Sequence, residues 1–179
     1  MKTMTRLLLS ACLVLPLAAC QQEEEVQVTE TAPLSAPATD DRNEWRAYLN
    51  DVVGRNMEGI YNQPYVYLVP PARDTAADVP ESVDETEVVE GAEAADAEYL
   101  RLAERAEMDL ARGIVRGNLL AYAGADSGRV ADLVVRAFEV VTEDTMDGVR
   151  VLFIGDQADN ERVQQAVAAS GVEYIFIQK

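Results

Sequence analysis

The chain has no histidine, and its only lysines are Lys2 and Lys179. Every basic side chain between them is arginine. The commonest general base, the commonest metal ligand and any interior Schiff-base lysine are therefore missing. The only cysteines, Cys12 and Cys20, lie near the start. Beyond residue 20 no disulfide can form, so stability there has to come from packing. Positive charge is scarce as well: 15 Lys and Arg stand against 32 Asp and Glu, a net charge of −17. Such a chain repels nucleic-acid phosphates and anionic lipid headgroups, which argues against both as partners. What remains is ample apolar material, 49% of 179 residues, enough for one domain with a real core.

The first twenty residues read MKTMTRLLLSACLVLPLAAC. Lys2 and Arg6 make a positive start, and Leu7 to Leu17 form an apolar run broken by Ser10 and Pro16. A bilayer span needs about 20 apolar residues, so this run is short for a transmembrane helix and suits the apolar region of an export signal. It ends in Leu17-Ala18-Ala19-Cys20.

That tetrad, in that place, resembles the lipobox of bacterial lipoproteins: a leucine, two small residues and the cysteine that is modified. The resemblance covers the first twenty residues and is silent on fold. It implies cleavage after Ala19 by a type II signal peptidase and diacylglycerol on the Cys20 thiol, often with a third, amide-linked chain such as palmitate. Two or more chains hold a protein stably on a bilayer. Losing residues 1–19 removes Lys2 and Arg6 and makes the mature chain more acidic still. In Gram-negative members of this class, aspartate after the cysteine favours inner-membrane retention. Gln21 stands there instead, which points to the periplasmic face of the outer membrane, with the inner membrane and the cell surface as the other destinations.

Residues 21–40 are polar, acidic and proline-containing, the composition of a disordered tether, and such a coil reaches about 25 Å. A single α/β domain is expected over 41–179. Asp40 or Asp41 can cap a helix whose apolar face is Trp45, Tyr48, Leu49, Val52 and Val53, with Gly59 as its stop. Residues 64–71 read as a proline-bounded strand with Tyr65 and Tyr67 on one face and Val66 and Leu68 on the other. Residues 72–95 are acidic from Asp74 to Glu93 and lack an apolar period, so they read as a solvated, low-complexity loop or insertion. Their acids lack the glycine and alternating spacing of an EF-hand loop.

Helical spacing returns with Tyr99, Leu102, Ala103, Ala106 and Leu110, with Glu98–Arg101 and Asp109–Arg112 as surface pairs. From there strands and helices alternate. Strands are expected over 118–123, 149–154 and 173–177. Between them lie a helix capped by Asp126 or Ser127, with Val130, Val134, Phe138 and Val141 inward, and one capped by Asp156. The latter turns Val163, Ala166, Val167 and Ser170 inward and stops at Gly171. In the last strand Ile175 and Ile177 share one face, and Tyr174 and Phe176 the other. This alternation predicts a small three-layer α/β sandwich with a mostly parallel sheet of about four strands.

Two loops hold the candidate site. Gly124-Ala125-Asp126-Ser127-Gly128 runs from strand to helix, where open α/β sheets place ligands. It matches neither G-x-G-x-x-G nor the P-loop, and Ser127 sits one place too late for G-x-S-x-G. Gly155-Asp156-Gln157-Ala158-Asp159 follows the next strand. Asp126, Ser127, Asp156 and Asp159 could together take a small ligand, or Mg²⁺ or Ca²⁺, which prefer oxygen donors. The plainer role for these aspartates is helix capping. Tyr61, Tyr65, Tyr67 and Tyr122 could line a groove, or pack on the sheet as strand tyrosines commonly do.

Three functions compete on this reading. One is a non-catalytic, lipid-anchored accessory protein that docks an envelope partner, needs no cofactor and has no catalytic residue. The second is a ligand- or metal-binding domain at loops 124–128 and 155–159. The third is a hydrolase, for example of glycans, built on two carboxylates.

Overall fold

The computed structural model describes residues 32–72 and 85–179, with side chains from Ala94 onward in the second stretch. Residues 32–179 form one compact unit. The lipobox and the rest of residues 1–31 lie outside the described residues, as do 73–84 of the acidic stretch.

Helix α1 spans Arg42–Arg55. The Asp41 carboxylate starts it by accepting from the amides of Asn43 and Glu44. It buries the five expected residues, Trp45, Tyr48, Leu49, Val52 and Val53. The helix ends at Asn56, before Gly59, because the Asn56 side-chain amide donates to the Val52 carbonyl (2.8 Å) and closes the last turn. Residues 33–40, expected to belong to the tether, are laid along this helix. The Leu34 amide donates to Asp51, the Trp45 indole donates to the Thr39 carbonyl, and Ala36 packs on the core.

Strands β1 (Tyr65–Leu68), β2 (Leu119–Ala123), β3 (Arg150–Gly155) and β4 (Glu173–Gln178) form one sheet in the order β1-β2-β3-β4. All three pairings are parallel. The crossovers run through α2 (Glu85–Ala111), α3 (Ser127–Phe138) and α4 (Gln157–Val167), the last extended by a 3₁₀ turn, Ala168–Ser170. Gly171 (φ 83°) supplies the left-handed residue that stops it.

Helix α2 corrects the loop reading of 72–95, since it begins at Glu85. Glu and Ala from 85 to 95 are good helix formers, and acids favour the positive end of a helix, so the segment needs no apolar face to extend a helix anchored further on. Glu98 also departs from expectation. It pairs with Arg42 of α1 at 2.7 Å rather than with Arg101, while Asp109 does face Arg112.

The sheet separates two cores. On one face Tyr67, Leu120, Tyr122, Val151 and Phe153 meet α2, α3 and α4 through Ala103, Ala106, Leu110, Val130, Val134, Val163 and Val167. On the other, Leu119, Ala121, Ala123, Leu152 and Ile154 meet α1. Tyr174 and Phe176 pack with the first cluster, Ile175 and Ile177 with the second, as the alternation requires. The result is three layers: α1, the sheet, then α2, α3 and α4. All three crossovers lie on one face and step one strand in the same direction, the arrangement right-handed connections impose.

Candidate functional site

In an open parallel sheet, a ligand crevice forms where neighbouring strands send their connections to opposite faces. The order β1-β2-β3-β4 with every crossover on one face contains no such reversal. The loops after β2 and β3 must therefore make a site by their side chains alone.

Those side chains meet around Ser127, which is buried. Its hydroxyl donates to Asp159 Oδ2 (2.6 Å) and accepts from the Asp156 amide (2.7 Å). It thus ties the 124–128 loop to the 155–159 loop. Gly155 is glycine for a related reason: a Cβ there would lie 2.6 Å from both Ser127 Oγ and the Phe153 ring. Asp126 takes the capping role, accepting from the Arg129 amide at 3.0 Å. Asp156 occupies the cap position of α4, but its side chain makes no cap bond. Its carboxylate faces Lys179 Nζ at 3.5 Å instead.

Three cations missing from the sequence reading close the site. Arg162 Nε donates to Asp159 Oδ1 (3.0 Å), its Nη1 pairs with Asp132, and its Nη2 donates to the Gly128 carbonyl (2.8 Å). The bond to Asp132, helped by Asp159 and opposed by burial, holds its protonation above the ordinary guanidinium level. Lys179 donates its amide to the Gly155 carbonyl (3.1 Å) and its ammonium to the Ala125 carbonyl, so it lies across the ends of the strands. Arg129 stacks on Tyr99 (4.3 Å) and pairs with Asp96 (2.8 Å). Of these, only Arg162 carried a sequence signal, its position three residues after Asp159 on one helix face.

The four candidate residues are thus near one another but engaged with the protein itself. Among the described residues no three His, Cys, Asp or Glu side chains are placed to hold a metal ion. An open concavity of about 590 Å³ lies to one side, between α2 and the start of α3. It is lined by Asp96, Tyr99, Asp126, Arg129 and Asp132, and does not include Asp156 or Asp159.

Tyr67 and Tyr122 pack in the core rather than line a groove, and Tyr65 lies partly buried against the same core. Tyr67 and Tyr122 stack at 4.8 Å inside the first core, and Tyr67 donates to Asp109 (3.1 Å). Burial, then the Asp109 charge, pushes the Tyr67 hydroxyl well up. Burial alone dominates at Tyr122, whose hydroxyl has no partner among the described residues. Tyr61 is exposed, with its ring against Gly117 and its hydroxyl on the Arg116 carbonyl.

Ser127→Ala tests the reading of this cluster as a brace. It would remove the partner of the Asp156 amide and of one Asp159 oxygen, two part-buried hydrogen bonds, a loss of about 1–2 kcal/mol. Urea unfolding should show that loss. A change within about 0.5 kcal/mol, the range of an ordinary surface substitution, would mean that the two loops are held by something else.

No protein-family model, no curated protein and no solved structure matches the chain.

Proposed function

We propose that this chain is a lipid-anchored envelope lipoprotein whose folded unit has a non-catalytic, accessory role. The observation that carries the reading is Leu17-Ala18-Ala19-Cys20, placed directly behind a basic start and a short apolar run. On this reading residues 1–19 are an export signal, and Cys20 carries diacylglycerol with an added acyl chain such as palmitate. Gln21 directs the protein to the periplasmic face of the outer membrane. The folded unit, beginning at residue 32, stands off the bilayer and meets an envelope protein.

The strand ends support the accessory role over a binding or hydrolytic one. Asp126, Asp156 and Asp159 are each satisfied by a neighbour in the chain: the Arg129 amide, Lys179 and the Ser127–Arg162 pair. A ligand or metal held by all three carboxylates together would have to compete with those partners, and Asp126 alone of the three faces the concavity beside α2. An acid–base pair of carboxylates needs free access to the bond it cleaves.

Cys20→Ala should leave the precursor uncut or release the protein in soluble form, read by membrane fractionation and intact mass. A Cys20→Ala chain that is processed and still membrane-bound would overturn the anchor. For the role, crosslinking of the anchored protein in its host, followed by mass spectrometry, should recover an envelope protein. Turnover of a glycan by the purified chain, lost on substituting Asp126 or Asp156, would overturn the accessory reading.

A further inference from the structure

The chain carries 32 acids against 15 bases, so a cation that finds no carboxylate is unexpected. Among the described residues, Arg46 and Arg101 are the basic side chains without an ion pair. Both are exposed. Arg46, on α1, lines an open groove of about 340 Å³ between α1 and α2, together with Arg42, Glu98 and Arg105. Arg101 stands between Glu98 and Arg105 on α2, and spacings of three and four residues put all three on one helix face. The other cations of the groove are unequally held. Arg42 pairs with Glu98 at 2.7 Å. Arg105 meets its only carboxylate, Asp109, at 4.0 Å, and Asp109 also takes the Tyr67 hydroxyl and Arg112. The groove is therefore positive on an acidic protein, and its charge is not neutralised from within.

The floor of the groove is the outer edge of β1, with Leu49, Val66 and Leu102 as its apolar lining. The Val69 amide bonds to the Ala123 carbonyl on the β2 side. In a parallel pairing the same alternate residues use both backbone groups on one neighbour. Residues 65, 67 and 69 therefore face β2, and Val66 and Leu68 turn their N–H and C=O groups into the groove. The Val66 carbonyl accepts from Arg105 at 3.2 Å, and its second lone pair stays available. The Val66 N–H and both groups of Leu68 have no partner among the described residues.

Resting on the accessory reading for a protein as partner, we propose that this groove docks an extended acidic segment of that partner along the outer edge of β1. Charge complementarity selects the occupant. Arg46 and Arg101 offer charge that no carboxylate of this chain takes up, and Arg105 is only loosely held. The placement of these cations sets the pattern of acids. Leu68 of β1 belongs to the core on the α1 side and Tyr67 to the core on the α2 side. A strand laid beside β1 alternates in the same way. Adjacent acids would then meet Arg46 on α1 and Arg101 or Arg105 on α2, one on each side. The backbone of the segment meets the outward groups of Val66 and Leu68, as in strand addition to a sheet edge. A lone anion or a lipid headgroup could use the arginines, but neither uses the strand edge and the apolar floor. The net charge of −17 opposes an acidic partner at long range. At 0.15 M salt that repulsion is screened beyond about 8 Å, which leaves the direct contact with the arginines to decide.

The test uses the full chain in non-ionic detergent at 0.15 M salt. The probe is a fluorescent synthetic peptide of about eight residues, an ordinary strand length, with two adjacent glutamates flanked by valine and threonine. Fluorescence anisotropy should show it binding, and the same peptide with glutamine in place of both glutamates should bind about tenfold more weakly. Arg46→Gln and Arg101→Gln should each weaken the acidic peptide by about two- to fivefold, the range for exposed ion pairs, and together by about tenfold. Both positions are exposed, so the urea midpoint should not move. Arg116→Gln, outside the groove and paired with Asp147, should leave binding unchanged. In the unmodified chain, the acidic peptide should slow amide exchange at Val66 and Leu68. Equal binding of the two peptides, or binding of neither, overturns the proposal. Acidic-peptide binding that survives the double variant overturns it by placing the contact elsewhere. Binding without slower exchange at Val66 and Leu68 overturns the strand placement. Vesicles of anionic phospholipid that bind the chain through Arg46 and Arg101, where the peptide does not bind, overturn it in favour of a lipid headgroup. Each of these failures leaves an envelope protein recovered by crosslinking as support for the accessory reading, and failure of the crosslinking leaves the peptide result standing.

Discussion

A chain that stops at Gly171 is expected to lose cooperative unfolding altogether. The truncation removes β4, and with it the half-buried Tyr174, Ile175, Phe176 and Ile177. Full burial of such a side chain contributes about 1.5–3 kcal/mol, and a domain holds only about 5–15 kcal/mol in total. Half-burial of four of them is already a large share of that. The secondary losses are as serious. β3 becomes an edge strand, and Val151, Leu152, Phe153 and Ile154, now fully buried, lose their neighbours on one side. Phe153 loses its stack on Phe176, and Asn160 of α4 loses its bond from the Tyr174 hydroxyl. Lys179 goes too, so Asp156 and the Ala125 carbonyl at the strand ends lose their cation. Thermal melting with hydrogen exchange is the measurement. A cooperative melt near the full-length midpoint would show β4 to be peripheral.

Most of this architecture is legible in the sequence, and the reason is periodicity. The five buried positions of α1 are the five apolar residues at helical spacing, and the 118–123, 149–154 and 173–177 runs are strands within a residue or so. Two-residue alternation in β4 assigns Ile175 and Ile177 to one core and Tyr174 and Phe176 to the other. What pattern cannot carry is anything decided by a single polar contact. Helix α1 ends at Asn56 because one side-chain amide reaches the Val52 carbonyl, not because a glycine follows. The reach of α2 back to Glu85 rests on helix propensity, which leaves no apolar stripe to read.

The candidate site divides along the same line. Asp126, Ser127, Asp156 and Asp159 could be named because strand–turn–helix junctions collect aspartate and serine. Their roles could not, because these depend on residues distant in the chain. Ser127 is joined to Asp159 and the Asp156 amide by the parallel adjacency of β2 and β3. Lys179 meets Ala125 and Asp156 only once β4 lies beside β3. Strand order, which pattern does not supply, decides whether four candidate residues form a ligand crevice or a brace.

The α1 layer gives the second large effect. Trp45→Ala is expected to cost about 3–5 kcal/mol, the range for deleting a buried aromatic. Among the described residues α1 is the only helix on its face of the sheet, so the hole left by the indole has no second helix to collapse into it. Trp45 also does two things besides filling space. Its ring meets Tyr48 edge-on at 5.9 Å, and its indole N–H donates to the Thr39 carbonyl, fastening residues 33–40 to the helix. Trp45→Phe keeps most of the apolar volume and removes that bond, so its cost should be smaller: about 1 kcal/mol for the hydrogen bond plus the packing lost with the second ring. The ordering of the two variants in urea unfolding separates packing from fastening. Equal losses would make the Thr39 bond the dominant contribution. A Trp45→Ala loss within about 0.5 kcal/mol, no more than a surface substitution, would mean that α1 is a detachable arm rather than a layer of the domain. The apolar face of Leu119, Ala121, Ala123, Leu152 and Ile154 would then need another cover.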